Sequence, residues 1–405
     1  VKIIVQKFGG TSLATEKERR QAVKKVVEAQ KQGYAVVCVV SAMGRSPSPY
    51  ATDTLLSLLD GETARMMPAE RDLLLACGEV ISAVVFAGLL RGAGLGSCAM
   101  TGQQAGIITE SSFGAAHITK VRPNRVLENL QDQRVVVVAG FQGVNEAGCV
   151  TTLGRGGSDI TAAALGCALD AERVEVYTDV DGIMTADPQV VTHAGPVKRL
   201  TYREVCEMAH LGAKVVHPRA AEIATEGGVP LWIKNTFSDG EGTLIAERLK
   251  IVEGVPIKGD TVVSGIAHIT DLAQVKVRTD DVDSKISLEV LQRLADAEIS
   301  LDLINVSPAE MCFTINEKQA ERARAVLGRF HLKATIDSGF AKVSAVGAGM
   351  RGVPGVMAAI VESLTKVGIK IYQSADSHTS ISCLVRSEDL QKAASALHDR
   401  FGLSG

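Results

Sequence analysis

Two short stretches set a fixed cation beside paired glycines, and both point to chemistry on anions. The first is VQKFGGTS, Val5 to Ser12, in which Lys7 precedes Gly9 and Gly10. Apolar Val1, Ile3, Ile4 and Val5 read as a buried strand, and Thr15-Glu-Lys-Glu18 is a capping-box pattern that opens a helix. In a strand, glycine turn and helix, backbone N–H groups face a phosphate, with the lysine as a point charge beside them. The same residues also make a plain tight turn with a surface lysine. The spacing is not that of a Walker A loop. The second stretch is Gly154-Arg-Gly-Gly-Ser-Asp159, between apolar Val150 to Leu153 and a helix expected over Ile160 to Leu169. The planar fork of Arg155 suits a carboxylate held by two hydrogen bonds. The structural alternative is a turn whose Ser158 caps the helix.

Three further groups stand out. Glu79 sits beside Cys77 and Gly78 in the apolar run Leu73 to Leu90, where a carboxylate needs a partner; it is either half of an ion pair or a ligand group with room beside Gly78. Tyr50-Ala-Thr52-Asp53 follows the Ser41-Ala-Met-Gly44 turn and reads as an Asx or Ser/Thr turn before a helix Leu55 to Leu59. The stretch Tyr177 to Pro188 runs off a strand with acids and a glycine, but lacks the closing glutamate of a calcium loop.

KFGGTS and GRGGSD together resemble the signatures of aspartate kinases, within the amino-acid-kinase superfamily, and the resemblance extends over nearly the whole chain. It implies transfer of the γ-phosphoryl of ATP, bound with Mg²⁺, to the β-carboxylate of L-aspartate, giving 4-phospho-L-aspartate at the head of lysine, threonine and methionine biosynthesis. It implies that Lys7 and Lys214 contact phosphates and that Asp159 orients them. The substrate would meet Ser41, Thr52, Glu79 and the Arg155-Gly156-Gly157-Ser158 loop, with Arg155 on a carboxylate and Glu79 on the ammonium. The nucleotide would lie against Lys7, Phe8, Gly9 and Gly10, then Thr178, Asp179, Met184 and Asp187, and finally Lys214 and Val215. An acceptor carboxylate is already ionised (pKa about 3.9), so the reaction needs positioning and cationic stabilisation rather than a general base. A non-catalytic amino-acid sensor and another amino-acid kinase, such as one acting on glutamate, are the competing readings.

The elements that must position these groups are alternating strands and helices. The helix from Glu16 to about Gln32 is followed by continuous apolar strands at Tyr34 to Val40, Val135 to Ala139, Arg173 to Val180 and Val229 to Ile233, and a helix is expected over Tyr202 to Gly212. They predict an open three-layer αβα domain over residues 1–250, with ligands beyond the strand ends and a linker in the glycine-rich Gly240 to Gly259. The net charge of −3 gives no reason to expect nucleic acid or an anionic membrane. Eight scattered cysteines, without a CxxC, read as buried thiols in a reducing compartment, with no metal site. Ile81 to Leu90 is too short to span a bilayer, and the N-terminus enters a strand at once, so a cytoplasmic protein is expected.

The C-terminal part reads as two βαββαβ units, residues 262–335 and 336–405. Leu294, Ile299 and Leu301 recur as Leu364, Ile369 and Ile371. The expected strands include Val262 to Ala267, Gln274 to Val277, Ile299 to Val306, Ala341 to Val346 and Ile369 to Gln373, and the first of them could pair within the second unit. These units resemble the tandem, ferredoxin-like ACT regulatory modules of aspartate kinases. The resemblance implies feedback by an amino acid (diaminopimelate, lysine or threonine), effector contacts among Asp283, Ser284, Asn305, Ser374, Asp376 and His378, and a homodimer or higher oligomer. Gly347-Ala-Gly-Met-Arg-Gly352 satisfies GxGxxG, but too few strands follow it to build a dinucleotide fold.

Overall fold

The computed structural model describes residues 2–59, 65–213, 216–247, 262–278, 284–307, 310–328, 333–350 and 353–404. Of the expected site, Lys214, Val215 and Asp283 lie outside these residues, as does the side chain of Ser284. So does the expected linker from residue 248 onward. Contacts divide the chain into two units. One is Val1–Ile183, Pro196–Ala209 and Val215–Pro256; the other is Met184–Gly195, His210–Lys214 and Ile257–Gly405.

The first unit runs β1 (Ile3–Phe8), α1 (Glu16–Lys31), β2 (Ala35–Val40), α2 (Thr52–Ser57), α3 (Pro68–Gly92), β3 (Ser97–Met100), β4 (Ile107–Thr109), β5 (Ile118–Val121), α4 (Asn124–Gln131), β6 (Val135–Ala139), β7 (Gln142–Val144), β8 (Val150–Thr152), α5 (Gly157–Ala168), β9 (Arg173–Thr178), β10 (Arg199–Leu200), α6 (Tyr202–His210), α7 (Pro218–Gly227), β11 (Leu231–Asn235) and β12 (Thr243–Ile245). Eight strands form one sheet in the order β10-β12-β11-β9-β1-β2-β6-β3, parallel except for β11 with β12. β2 and β6 are buried almost end to end, as strands covered on both faces are. The register ends the central strands level: Phe8 pairs with Val40 and with Tyr177, and Val40 with Ala139. Gly9, Ser41, Gly140 and Thr178 therefore share one edge, where ligands of such sheets bind.

Local signals explain the helix starts. Thr15 and Glu18 form the capping box of α1 reciprocally, at 2.7 and 3.3 Å. α5 starts earlier than expected, at Gly157, and its N-cap is Gly156 in the left-handed region (φ 72°), not Ser158. α6 ends at His210, before Gly212. α3 is 25 residues long, well beyond the apolar run Ile81 to Leu90. By length and composition it would cross a membrane, yet it packs on β3, β6 and β8 with Asp72, Glu79 and Ser82 buried, as a core helix does. A second sheet, β5-β4-β7-β8, went unanticipated because its strands are only three or four residues long and partly polar.

The second unit holds β13 (Gly265–Arg278), α8 (Ser284–Asp296), β14 (Asp302–Val306), β15 (Glu310–Asn316), α9 (Ala320–Leu327), β16 (Lys333–Val346), α10 (Val356–Lys366), β17 (Gln373–Asp376), β18 (Ser380–Arg386) and α11 (Leu390–Arg400). The repeat is visible in detail: β18 begins 70 residues after β15, and Leu294 and Leu364 are both fully buried. The modules share one antiparallel sheet, β14-β15-β13-β16-β18-β17. β13 and β16 are each 14 residues long, where the sequence suggested shorter, separate strands. Residues 265–269 of β13 pair with 342–346, whereas 272–278 pair with 310–316 as well as with β16. The strand expected from Ile369 begins only at Gln373, because Ile369 is spent on the helix-side core. The GxGxxG glycine Gly347 serves packing: a Cβ there would lie 2.2 Å from the Val262 carbonyl.

Candidate active site

Lys7 is the penultimate residue of β1, and α5 packs across that strand. Its Nζ lies 2.7 Å from Asp159 Oδ1, with the two side chains only 12% and 15% exposed. Asp159 stands in the first turn of α5, where an anion is favoured by the helix dipole. The first and second glycine loops are thus joined by an ion pair at the sheet edge.

The glycines serve this edge differently from the sequence reading. The Gly9 amide donates to Tyr177 O at 3.2 Å and is already engaged. A Cβ on Gly10 would lie 2.8 Å from Gly44 O and 2.9 Å from Ala42 O, so Gly10 admits the Ser41 turn rather than open space. Phe8, expected beside the nucleotide, is fully buried; its ring stacks on Tyr177 at 5.1 Å, and its carbonyl accepts from Ser41 N–H. Ser12 is a structural member of the motif, hydrogen-bonded to Thr236 at 2.6 Å.

Glu79 is 3% exposed. Its Oε1 accepts from Ala42 N–H at 3.1 Å, and its Oε2 is buried without a hydrogen-bond partner among the described residues. Burial raises its pKa to about 8 against the lowering effect of the Ala42 N–H. Among the described residues, no ion pair accounts for it. The room expected at Gly78 is taken by the chain itself, since a Cβ there would lie 2.9 Å from Tyr50 O and 3.0 Å from Ala42 Cβ. That contact brings the Tyr50–Thr52 turn, which opens α2, against the turn of α3 that carries Glu79.

Arg155 is exposed and makes no ion pair among the described residues. The loop that presents it is held from three sides. Asp72 on α3, fully buried, accepts from Thr152 N–H at 2.7 Å, Thr152 Oγ1 at 2.9 Å and Gly114 N–H at 2.9 Å. Arg219 on α7 donates to Leu153 O and Ala116 O, both at 3.2 Å. The His217 ring lies on Gly156, where a Cβ would fall 2.4 Å from the imidazole Cγ. Ser158 packs below, 2.8 Å from where a Gly140 Cβ would stand, and Gly157 faces the Phe141 ring. Asp72, His217 and Arg219 were missed; a carboxylate one helical stretch before Glu79 was the signal for Asp72, and nothing local marked the other two.

Thr178 ends β9 and donates to Asp179 Oδ1 at 3.1 Å. Met184 and Asp187 fall in the second unit, where Asp187 Oδ1 caps Gln189 N–H at 2.8 Å. Also in that unit, Ser374, Asp376 and His378 line a cavity of about 490 Å³ with Met350, Gly355 and Met357. Asn305 is not part of it, and lies exposed on the edge strand β14. Ser284 opens α8.

Lys7 at the end of β1 with its Asp159 partner, Arg155 on the loop leading into α5 with no ion pair among the described residues, and buried Glu79 on α3 are groups suited to handling charged substrates, as in the class of phosphoryl-transferring α/β kinases. Residues 2–235 match the amino acid kinase family model, and residues 335–399 an ACT domain. The chain is 46% identical over 404 residues to aspartokinase 1 of Bacillus subtilis, covering 100% of both chains. It is 39% identical over 418 residues to the aspartokinase of Corynebacterium glutamicum, covering 100% of this chain and 97% of that one. Its fold matches E. coli aspartokinase III in complex with aspartate and ADP, with TM-score 0.77 at 24% identity over 98% and 99% of the two chains. The chain belongs to the amino acid kinase family, among its aspartokinases with C-terminal ACT domains. It is an aspartate kinase, with a regulatory ACT region forming the antiparallel sheet.

Proposed function

We propose that the strand-end site of the first unit transfers the γ-phosphoryl of MgATP to the β-carboxylate of L-aspartate. The observation that carries this assignment is the Lys7–Asp159 ion pair beside the turn that holds an unpaired Arg155. Lys7 meets the phosphoryl oxygens, with Asp159 fixing its position and limiting its charge until the nucleotide enters. Arg155 grips the α-carboxylate of aspartate in a bidentate fork. Glu79, whose Oε2 lacks a partner, receives the substrate ammonium. Ser41, Thr52 and Ser158 contribute hydroxyls around it. Thr178 and Asp179 are assigned to the ribose and adenine side, and Lys214 to a second phosphate contact. Magnesium arrives with the nucleotide as part of the substrate.

The cavity lined by Ser374, Asp376 and His378 is assigned to a feedback amino acid such as lysine, threonine or diaminopimelate: its acid and hydroxyls suit an ammonium, and its methionines suit an alkyl chain. The enzyme is assigned to the cytoplasm as a homodimer or higher homo-oligomer. The test of the reaction is acyl hydroxamate formation with MgATP and hydroxylamine. Aspartate should give product and glutamate essentially none; product from glutamate alone would refute the substrate assignment.

A further inference from the structure

His217 is not explained by substrate binding, yet it touches the turn on which the site depends. It stands half-buried at the N-cap position of α7 without a side-chain cap hydrogen bond, and its ring occupies the space that the missing side chain of Gly156 leaves. Gly156 accepts the Asp159 N–H at 2.9 Å and is the N-cap of α5, so the imidazole rests on the backbone that sets Asp159. His217 Nδ1 is buried with no hydrogen-bond partner among the described residues. An imidazolium would bury an unsatisfied N–H at that atom; a neutral ring with its proton on Nε2 buries only a lone pair.

We propose that His217 is a positioning residue for phosphoryl transfer: as a neutral ring packed on Gly156 it fixes the turn that opens α5, and on protonation it draws Asp159 away from Lys7. The inference rests on the role proposed above for the Lys7–Asp159 pair. Among the described residues, the charges around the ring come from two elements. The turn and first helical turn of α5 contribute Arg155 and Asp159, and α7 contributes Arg219 and Glu222. Burial holds the imidazole below its usual range, with Arg219 and Arg155 acting the same way and Asp159 and Glu222 opposing. The neutral form therefore prevails at neutral pH, and the charged form appears only on the acid side. Once charged, the ring competes with the Lys7 ammonium for one carboxylate.

The test is the kcat–pH profile at saturating MgATP and aspartate, read as ADP formed and separated by chromatography, for the wild type, His217→Gln, His217→Ala and Asp159→Asn. The wild type should lose kcat on acidification, with a midpoint below about pH 6.5. His217→Gln should lower neutral-pH kcat by no more than about tenfold and abolish the acid limb, whereas His217→Ala should lower kcat by more than about tenfold. An acid limb unchanged in His217→Gln, or none in the wild type down to about pH 5.5, would overturn the inference. If His217→Ala does not fold, the glutamine profile still decides. Wild-type kcat in Asp159→Asn would instead break the underlying reading, and loss there with an unchanged His217→Gln profile breaks only this one.

Discussion

Lys7 Nζ and Asp159 Oδ1 stand 2.7 Å apart although 152 residues separate them in the chain. The pair joins the end of β1 to the start of α5, and so ties the first glycine turn to the loop that carries Arg155. A lysine this buried without a partner would incur a large desolvation cost. Asp159→Asn keeps the shape but removes the charge, and should lower kcat by about ten- to a hundredfold. Steady-state kinetics with a thermal melt on the same sample checks it.

Arg155 is exposed and makes no ion pair among the described residues, which leaves its fork open to the carboxylate proposed for it. Arg155→Lys retains the charge and loses the fork. The KM for aspartate should rise by at least about tenfold, with the KM for ATP nearly constant. Equal increases in both constants would contradict the assignment.

In the role proposed for it, Glu79 links substrate binding to pH. With its pKa raised to about 8 by burial, the empty enzyme holds a proton there at neutral pH. Aspartate's ammonium needs the ionised form, so the KM for aspartate should fall as pH rises towards about 8. The stability effect has the opposite sign. Between the ordinary value of 4.5 and about 8 the folded state keeps a proton that the unfolded state has lost, so Glu79 makes the protein less stable as pH rises through that window. Glu79→Gln should therefore raise the KM for aspartate, flatten its pH dependence, and increase the Tm at pH 8 relative to wild type.

Asp72 accepts three hydrogen bonds at the end of β8 and in the loop at Gly114. Asp72→Ala leaves those donors unsatisfied and should cost about 2–4 kcal/mol of stability by denaturant unfolding. Because Thr152 lies three residues before Arg155, the aspartate KM of the folded fraction should rise as well. Asp72→Asn, which keeps acceptor capacity on one oxygen, should be milder in both.

The strands and the charged loops were legible because their signals are local. Val135 to Ala139 is apolar throughout, Thr15 and Glu18 have capping-box spacing, and the 70-residue repeat follows from buried positions such as Leu294 and Leu364. What stayed hidden depends on contacts far apart in the chain. Gly10 and Gly78 looked like openings for a ligand, yet their space is filled by Ala42, Gly44 and Tyr50. Phe8 sits inside the motif but its ring belongs to the core, as its stacking on Tyr177 shows. The short strands β4, β5, β7 and β8 have no periodicity to read. His217 and Arg219 act on a loop more than 60 residues away, which no spacing rule reports.

In the proposed reaction the ammonium of Lys7 meets the phosphoryl group in transit. The most direct test of this role is the turnover number of Lys7→Ala at saturating MgATP and aspartate, beside a melting curve that shows the protein folded. Removing that ammonium should lower kcat by about a hundredfold or more. A folded Lys7→Ala enzyme within about threefold of wild type, well short of the loss expected for a preorganised donor, would contradict it.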